Sequence, residues 1–261
     1  MRLARLGAEV FEYRALVHNL VLKDLRVKYR NSVLGVVWSL LNPLLLLGVY
    51  TFAFRVVLRV QTENYPYFLL TGLLPWGFFA GALMASTRAI TGNGTLLRKV
   101  HFPPEVLPIG TVLFAFSQLL LGFGAFLPLL LLVSGAPLHW TVVLVVPLFI
   151  LHLVFTIGIA LILSAATVFL RDVQHLTEVA LLLLFWLTPV VYPVQMVPEA
   201  LRPLFQLNPI AAFILAYQDV LFWGRLPGVL AVAAMVGATV LVVAAGQALF
   251  RRWSPSFAEE V

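Results

Sequence analysis

Residues 142–170 read VVLVVPLFILHLVFTIGIALILSAATVFL, a run without a single Asp, Glu, Lys or Arg. As a helix rising ~1.5 Å per residue it exceeds the roughly 30 Å of a bilayer's hydrocarbon core. It lacks the alternation and the ~10-residue length of a barrel strand. Working outward, further apolar runs occupy residues 33–54, 67–85, 106–133, 179–197 and 228–250. The composition agrees: 62% of the 261 residues are hydrophobic and 11% charged, against roughly a half and a quarter in soluble domains. The chain therefore reads as all-α, a polytopic membrane protein with six transmembrane helices. The fifth run is the weakest, because Pro189, Pro193 and Pro198 each remove a helical donor and leave only 179–188 uninterrupted. It reads as a short span or a re-entrant dip.

Charge decides between these and sets the orientation. Arg2, Arg5, Arg14, Lys23, Arg26, Lys28 and Arg30 precede the first run, which fits a retained cytoplasmic N-terminus better than a cleaved leader. With six crossings, 13 of the 17 Lys+Arg fall on the same side as that N-terminus, as basic residues of membrane proteins do. With five, Arg251 and Arg252 would change sides, so both termini are expected in the cytoplasm. Residues 1–32 then form a cytoplasmic segment, 33–250 the transmembrane domain and 251–261 a cytoplasmic tail. Within 9–30, Val10, Tyr13, Val17 and Leu20, then Leu22, Leu25 and Tyr29, recur at helical spacing, with Lys23, Arg26 and Arg30 opposite. This pattern predicts an N-terminal amphipathic interface helix lying on the membrane. Residues 190–227 are apolar and divided by prolines, which predicts short helices over 199–207 and 210–223 covering the outer end.

Much chemistry is absent. The chain has no Cys, hence no disulfide or thiolate-bound metal. Lys23, Lys28 and Lys99 are each without a preceding Gly or a following Ser or Thr, so no phosphate-binding P-loop exists. The acidic residues are scattered, and no catalytic or metal site is expected. His152 is the sole ionisable group in the apolar cores and reads as hydrogen-bonded between helices rather than as a proton relay. The basic excess speaks of orientation and not of nucleic acid. A bundle with no coupling-ion or nucleotide site is best read as a pore-forming subunit powered by another chain. The loop 92–105 suits docking to it: Gly92-Asn93-Gly94 breaks the chain, then Leu96-Leu97-Arg98-Lys99-Val100-His101-Phe102 meets Pro103-Pro104 and Glu105. A tight basic turn accounts for the same composition.

Several linked blocks carry a family resemblance. Leu22-Lys23-Asp24-Leu25-Arg26-Val27-Lys28-Tyr29-Arg30 runs into Val33-Leu34-Gly35-Val36-Val37-Trp38 and Leu41-Asn42-Pro43. Gly72-Leu73-Leu74-Pro75-Trp76, Arg171-Asp172-Val173, Thr188-Pro189-Val190-Val191-Tyr192-Pro193 and Asn208-Pro209 follow in order. Together they resemble ABC-2 type exporter permeases of the polysaccharide and teichoic-acid group over nearly the whole chain. The resemblance implies a homodimer with two P-loop ATPase subunits below it that bind ATP and Mg, this chain itself holding no cofactor. It implies a coupling helix at 98–105, an interface helix at 9–30 and gate helices within 199–223. It further implies a cargo of lipid-linked polysaccharide such as O-antigen, capsule or teichoic acid, crossing the bacterial inner membrane. A permease for a small drug or lipid would share all of this except the substrate.

A polymer longer than the membrane is thick needs a continuous, weakly binding channel. Aromatic faces suit sugar C–H faces, and Tyr50, Phe54, Phe185, Trp186 and Tyr192 are the candidates for its lining. Each taken singly also fits core packing or interface anchoring. Lys23, Arg26, Lys28 and Arg30, with Tyr29 beside them, offer a surface for a pyrophosphate-linked lipid carrier or for anionic phospholipid headgroups.

Overall fold

A computed structural model describes residues 13–29, 37–100, 102–135, 139–202, 205 and 208–260, and these contain no strand. Helix α1 is Arg14–Tyr29. Helix α2, Val37–Thr51, runs on through a π-helical stretch, Phe52–Val57. Then come α3, Tyr65–Ser86, the short α4, Gly94–Lys99, and α5, Val106–Ser134. A 3₁₀ turn, Trp140–Leu144, leads into α6, Val145–Phe169, which is followed by α7, Val173–Trp186. Helix α8, Pro209–Gln218, continues as a π-helical stretch, Asp219–Trp223, before α9, Val229–Trp253, and α10, Phe257–Glu260. Pro43, Pro75 and Pro128 lie inside α2, α3 and α5, as neighbouring helices in a bundle allow.

Among the described residues, five stretches are long and apolar enough to cross a membrane: Leu40–Val57, Tyr65–Ser86, Val106–Leu129, Trp140–Phe169 and Val229–Ser256. Four of the six expected runs match them closely, and the first matches from residue 37, since 30–36 lie outside the described residues. The fifth differs. Helix α7 starts at Val173, ahead of the expected 179, and stops at Trp186. Its 14 residues reach about 21 Å at 1.5 Å each, short of a full crossing. The three prolines end it, and residues 187–193 continue as turns and bends.

The packing of α6 on α9 shows what this segment must do. Gly158 faces Val242, Val243 and Gly246 so closely that a methyl group on either glycine would collide, and Phe169 packs on Trp253 with centroids 5.7 Å apart. The two helices are thus parallel, and their small residues permit the close approach. The chain between 170 and 228 therefore returns from the end of α6 to the level of its start. There Thr141 Oγ1 donates to the Val220 carbonyl at 2.7 Å.

The irregular backbone on that return path is paired by side chains. Gln218 Nε2 donates to the Pro189 carbonyl at 2.7 Å, Tyr65 Oη to that of Val191, and Asn208 Nδ2 to Thr188 Oγ1 at 3.1 Å. Unpaired carbonyls at that depth would each cost several kcal/mol. Of the expected short helices, 210–223 is present as α8 and its extension, and Glu199–Leu201 forms a 3₁₀ turn. Residues 203, 204, 206 and 207 lie outside the described residues.

His152 is a correction. It is fully buried among Phe78, Phe79, Phe213 and Tyr217, with centroids 4.9–6.0 Å away, and neither ring nitrogen has a hydrogen-bond partner. Rings rather than interhelical hydrogen bonds surround it.

Candidate coupling face and channel wall

One end of the bundle gathers α1, the α3–α5 loop, the ends of α6 and α9, and α10. Val17 and Leu20 of α1 are buried with Ile90, Val106, Leu107, Val168, Phe250 and Phe257. Leu20 seats on Gly110, which leaves room for it at the start of α5. The expected amphipathic helix thus forms, but its apolar face packs on the bundle, while Lys23 and Arg26 stay exposed. Residues 9–12 and Arg30, and the side chains of Lys28 and Tyr29, lie outside the described residues. Lys23 Nζ donates to Asn93 Oδ1 at 3.3 Å, tying α1 to the loop. Asn93 in turn donates to the Ala89 carbonyl, and Arg88 Nε to Gln174 Oε1 at 2.9 Å, which ties the loop to α7.

The helical part of this loop is Gly94–Lys99, ahead of the segment 98–105 that the resemblance assigned. Arg98 and Lys99 close the helix, Val100 is extended (φ −130°, ψ 130°), and Phe102 to Glu105 form turns before α5. Pro103 and Pro104 hold Phe102 and Pro103 out of helical geometry, so the helix cannot run on into α5. Arg98, Lys99 and Val100 are exposed, Phe102 to Glu105 half-buried, and His101 lies outside the described residues. Glu105 meets Arg251 at 3.9 Å, linking the loop to the end of α9. A groove of about 490 Å³ opens here between Tyr13, Leu97, Val100, Phe102, Pro103 and Phe257. Among the described residues, its lining carries no carboxylate or basic side chain, and the exposed Arg98 and Lys99 stand next to it in sequence.

The second feature is a side groove of about 760 Å³ between α2, α3, α5 and α7. Tyr50 and Phe185 line it and stack at 5.9 Å. Phe54 packs on Tyr50 at 6.4 Å and Trp186 on Phe185 at 5.4 Å. Tyr192 Oη donates to the Trp186 carbonyl at 2.6 Å. Ring contacts thus link Phe54, Tyr50, Phe185 and Trp186, and Tyr192 joins them through the Trp186 carbonyl; of the five candidates, Tyr50 and Phe185 line the groove itself. Sequence reasoning missed Trp76, 5.6 Å from Phe185, and the lining residues Trp38, Asn42 and Gln118. Trp76 stands in the quoted Gly72-Leu73-Leu74-Pro75-Trp76 block, but nothing in its spacing says that it faces α7. Gln218 and Tyr65, which hold the chain after α7, were likewise invisible without the fold.

Comparison with known proteins agrees with this architecture. The family described as ABC-2 type transporter matches residues 16–222. The chain is 36% identical over 262 residues to the O-antigen export system permease protein of Myxococcus xanthus, covering 98% of this chain and 99% of that one. It is 33% identical over 240 residues to a protein of the same description from Klebsiella pneumoniae, covering 91% of each. The polysialic acid transport protein of Escherichia coli is 24% identical over 258 residues, 95% of this chain and 96% of its own. With its apolar helices and this near-complete match, the chain belongs to the membrane-spanning ABC-2 type transporter family as a multi-pass protein of the polysaccharide export permease kind.

Proposed function

We propose that this chain is the permease subunit of an exporter that carries a lipid-linked polysaccharide, such as O-antigen, from the cytoplasmic to the outer side of a bacterial inner membrane. The observation that carries this reading is the near-full-length similarity to two O-antigen export permeases, joined to an aromatic wall that no small-molecule cavity requires. A polymer must be held weakly all along its path, and ring faces bind sugars without fixing one linkage. A small drug or lipid remains the second cargo, favoured by nothing in the wall.

In this reading the basic end faces the cytoplasm, where Lys and Arg accumulate. The sixth crossing is shared by α7 and the paired chain that follows it, a reading supported by the parallel run of α6 and α9. Both termini are then cytoplasmic, and the 3₁₀ turn at Glu199–Leu201 with α8 serves as the outer gate. Energy comes from two separate ATPase subunits that bind ATP and Mg and dock on Arg98 to Glu105; this chain only transmits their stroke. A second copy faces α2 and α7 and completes the channel. Lys23 and Arg26 attract anionic headgroups, each basic residue contributing on the order of 1 kcal/mol.

The test is depletion of this protein in its native cell, with lipid-linked glycans extracted and surface polymer quantified separately. Polymer export predicts that lipid-linked glycan accumulates as surface polymer falls. If both pools are unchanged, the cargo is not a polysaccharide.

A further inference from the structure

At the end opposite the basic loops, a cleft of about 450 Å³ is built from three separate segments: the α2–α3 loop, the approach to α6, and the π-helical end of α8. We propose that it is a saccharide-binding subsite at the exit of the transporter, which engages the glycan as it emerges; this rests on the polysaccharide reading above.

Its floor is aromatic. Tyr67, Phe222 and Trp223 line it, with ring centroids 5.6 Å apart from Tyr67 to Phe222 and 4.7 Å from Phe222 to Trp223. Its walls carry Glu63, Asn64 and His139. Among the described residues, the side chains of these three make no hydrogen bond or ion pair with one another or with the rest of the chain. A carboxylate, an amide and an imidazole together offer both donors and acceptors to hydroxyl groups, and the rings offer a face to sugar C–H bonds. The volume falls within the roughly 300–1,000 Å³ typical of small-ligand sites.

The surroundings are fixed. Tyr67 Oη donates to the Leu221 carbonyl at 2.6 Å and Thr141 Oγ1 to that of Val220 at 2.7 Å, so the floor is pinned to both neighbouring segments. Arg225 is held by Asp219 at 2.7 Å and lies 5.8 Å over the Trp223 ring. Gly224 adopts φ +63°, and a methyl group there would strike the His139 ring, so glycine alone lets that ring sit where it does. On the opposite wall, Asn64 holds a left-handed φ of 49°. Left-handed backbone at a residue other than glycine concentrates where a ligand is handled. The wall also continues the channel: Val60 N–H donates to the carbonyl of Phe54 at 2.9 Å. A glycan leaving the aromatic wall at Phe54 meets this loop next.

The test uses the full transporter with its ATPase subunits in lipid nanodiscs, titrated with repeat-unit oligosaccharides released from the host's own surface polymer. Two variants are compared, Glu63→Gln, at an exposed side chain that leaves packing intact, and Trp223→Ala. Saturable binding is expected, weakened roughly tenfold or more in either variant, a loss of about 1.4 kcal/mol, with slower surface display in cells. Equal binding by wild type and Glu63→Gln, or no saturable binding by wild type, overturns the subsite. Displacement of the oligosaccharide by glycerol 3-phosphate at similar concentration would assign the cleft to phospholipid headgroups and overturn it too. If depletion abolishes surface polymer while both variants bind and export normally, the subsite alone fails. If depletion leaves the polymer intact, the polysaccharide reading fails first.

Discussion

Helices α2 and α3 have equal mean hydropathy over their most apolar stretches, yet 72% of that stretch is buried in α3 and only 6% in α2. Helix α3 is the mast of the chain: Tyr65 to Trp76 are buried almost without interruption except at Pro66, against α5, α6, α7 and α8. Helix α2 touches the bundle along one edge and leaves Leu44, Leu45, Leu46, Val49, Phe52 and Val56 outward. Helix α7 behaves like α2, with Leu176, Val179, Leu182, Leu183 and Trp186 exposed. Hydropathy therefore says that a helix leaves water but not what it meets. The packed half of this chain is completed by its own fold, whereas the α2–α7 half leaves an apolar face that the rest of the chain does not cover; under the proposed function, lipid, a second copy and cargo cover it.

Matched glycines test that contrast most sharply. At Gly72 of α3 a Cβ would lie 2.9 Å from the Val190 carbonyl oxygen and 3.2 Å from Gln218 Nε2, while at Gly48 of α2 nothing lies within 4 Å. Gly72→Leu should cost about 3 kcal/mol or more, because backbone must shift, and should be seen as loss of folded protein in detergent. Gly48→Leu should leave the melting temperature of the monomer unchanged. Equal destabilisation by both would end the distinction between the two halves.

Next in size is the coupling face. Arg98, Lys99 and Phe102 replaced together by Ala should reduce export to background and loosen the ATPase subunits, while membrane insertion, which rests on α3, α5, α6 and α9, stays normal. Export at the wild-type rate would remove the docking assignment. A smaller effect is expected in the wall: Trp186→Ala with Tyr192→Ala should slow export several-fold or admit small solutes without lowering expression, because Trp186 is exposed and Tyr192 only half-buried. Unchanged flux and unchanged leak would restore these rings to simple interface anchors. Smallest is Lys23→Met, which removes an exposed 3.3 Å hydrogen bond from Lys23 Nζ to Asn93 Oδ1. Exposed polar contacts of this kind contribute about 1 kcal/mol or less, so thermal stability should barely move.

These differences mark how far residues alone carry the account. The long runs were legible because a charge-free stretch of that length has no soluble use. A helix over 14–29 and the Pro-divided segment after α7 were legible from spacing and from prolines, but not that the helix packs its apolar face on the bundle. Three more things were not. The short helix of the 92–105 loop ends at Lys99, where Val100 leaves helical geometry, whereas the resemblance placed a helix further on, at 98–105. Helix α7 reads as a span by composition but stops early, and its continuation is secured by Gln218 and Tyr65 from distant positions. The burial of His152 among four rings depends on α3, α6 and α8 meeting at one level, which no local pattern encodes.

The most direct measurement of the central claim is photo-crosslinking in cells that are exporting polymer. Benzoylphenylalanine is placed at Phe185, in the aromatic wall, and separately at Val240, which is 53% exposed on α9. Position 185 should capture glycan, whereas position 240 should capture only lipid. Glycan capture at neither position, or equally at both, would contradict a polymer path along α2 and α7.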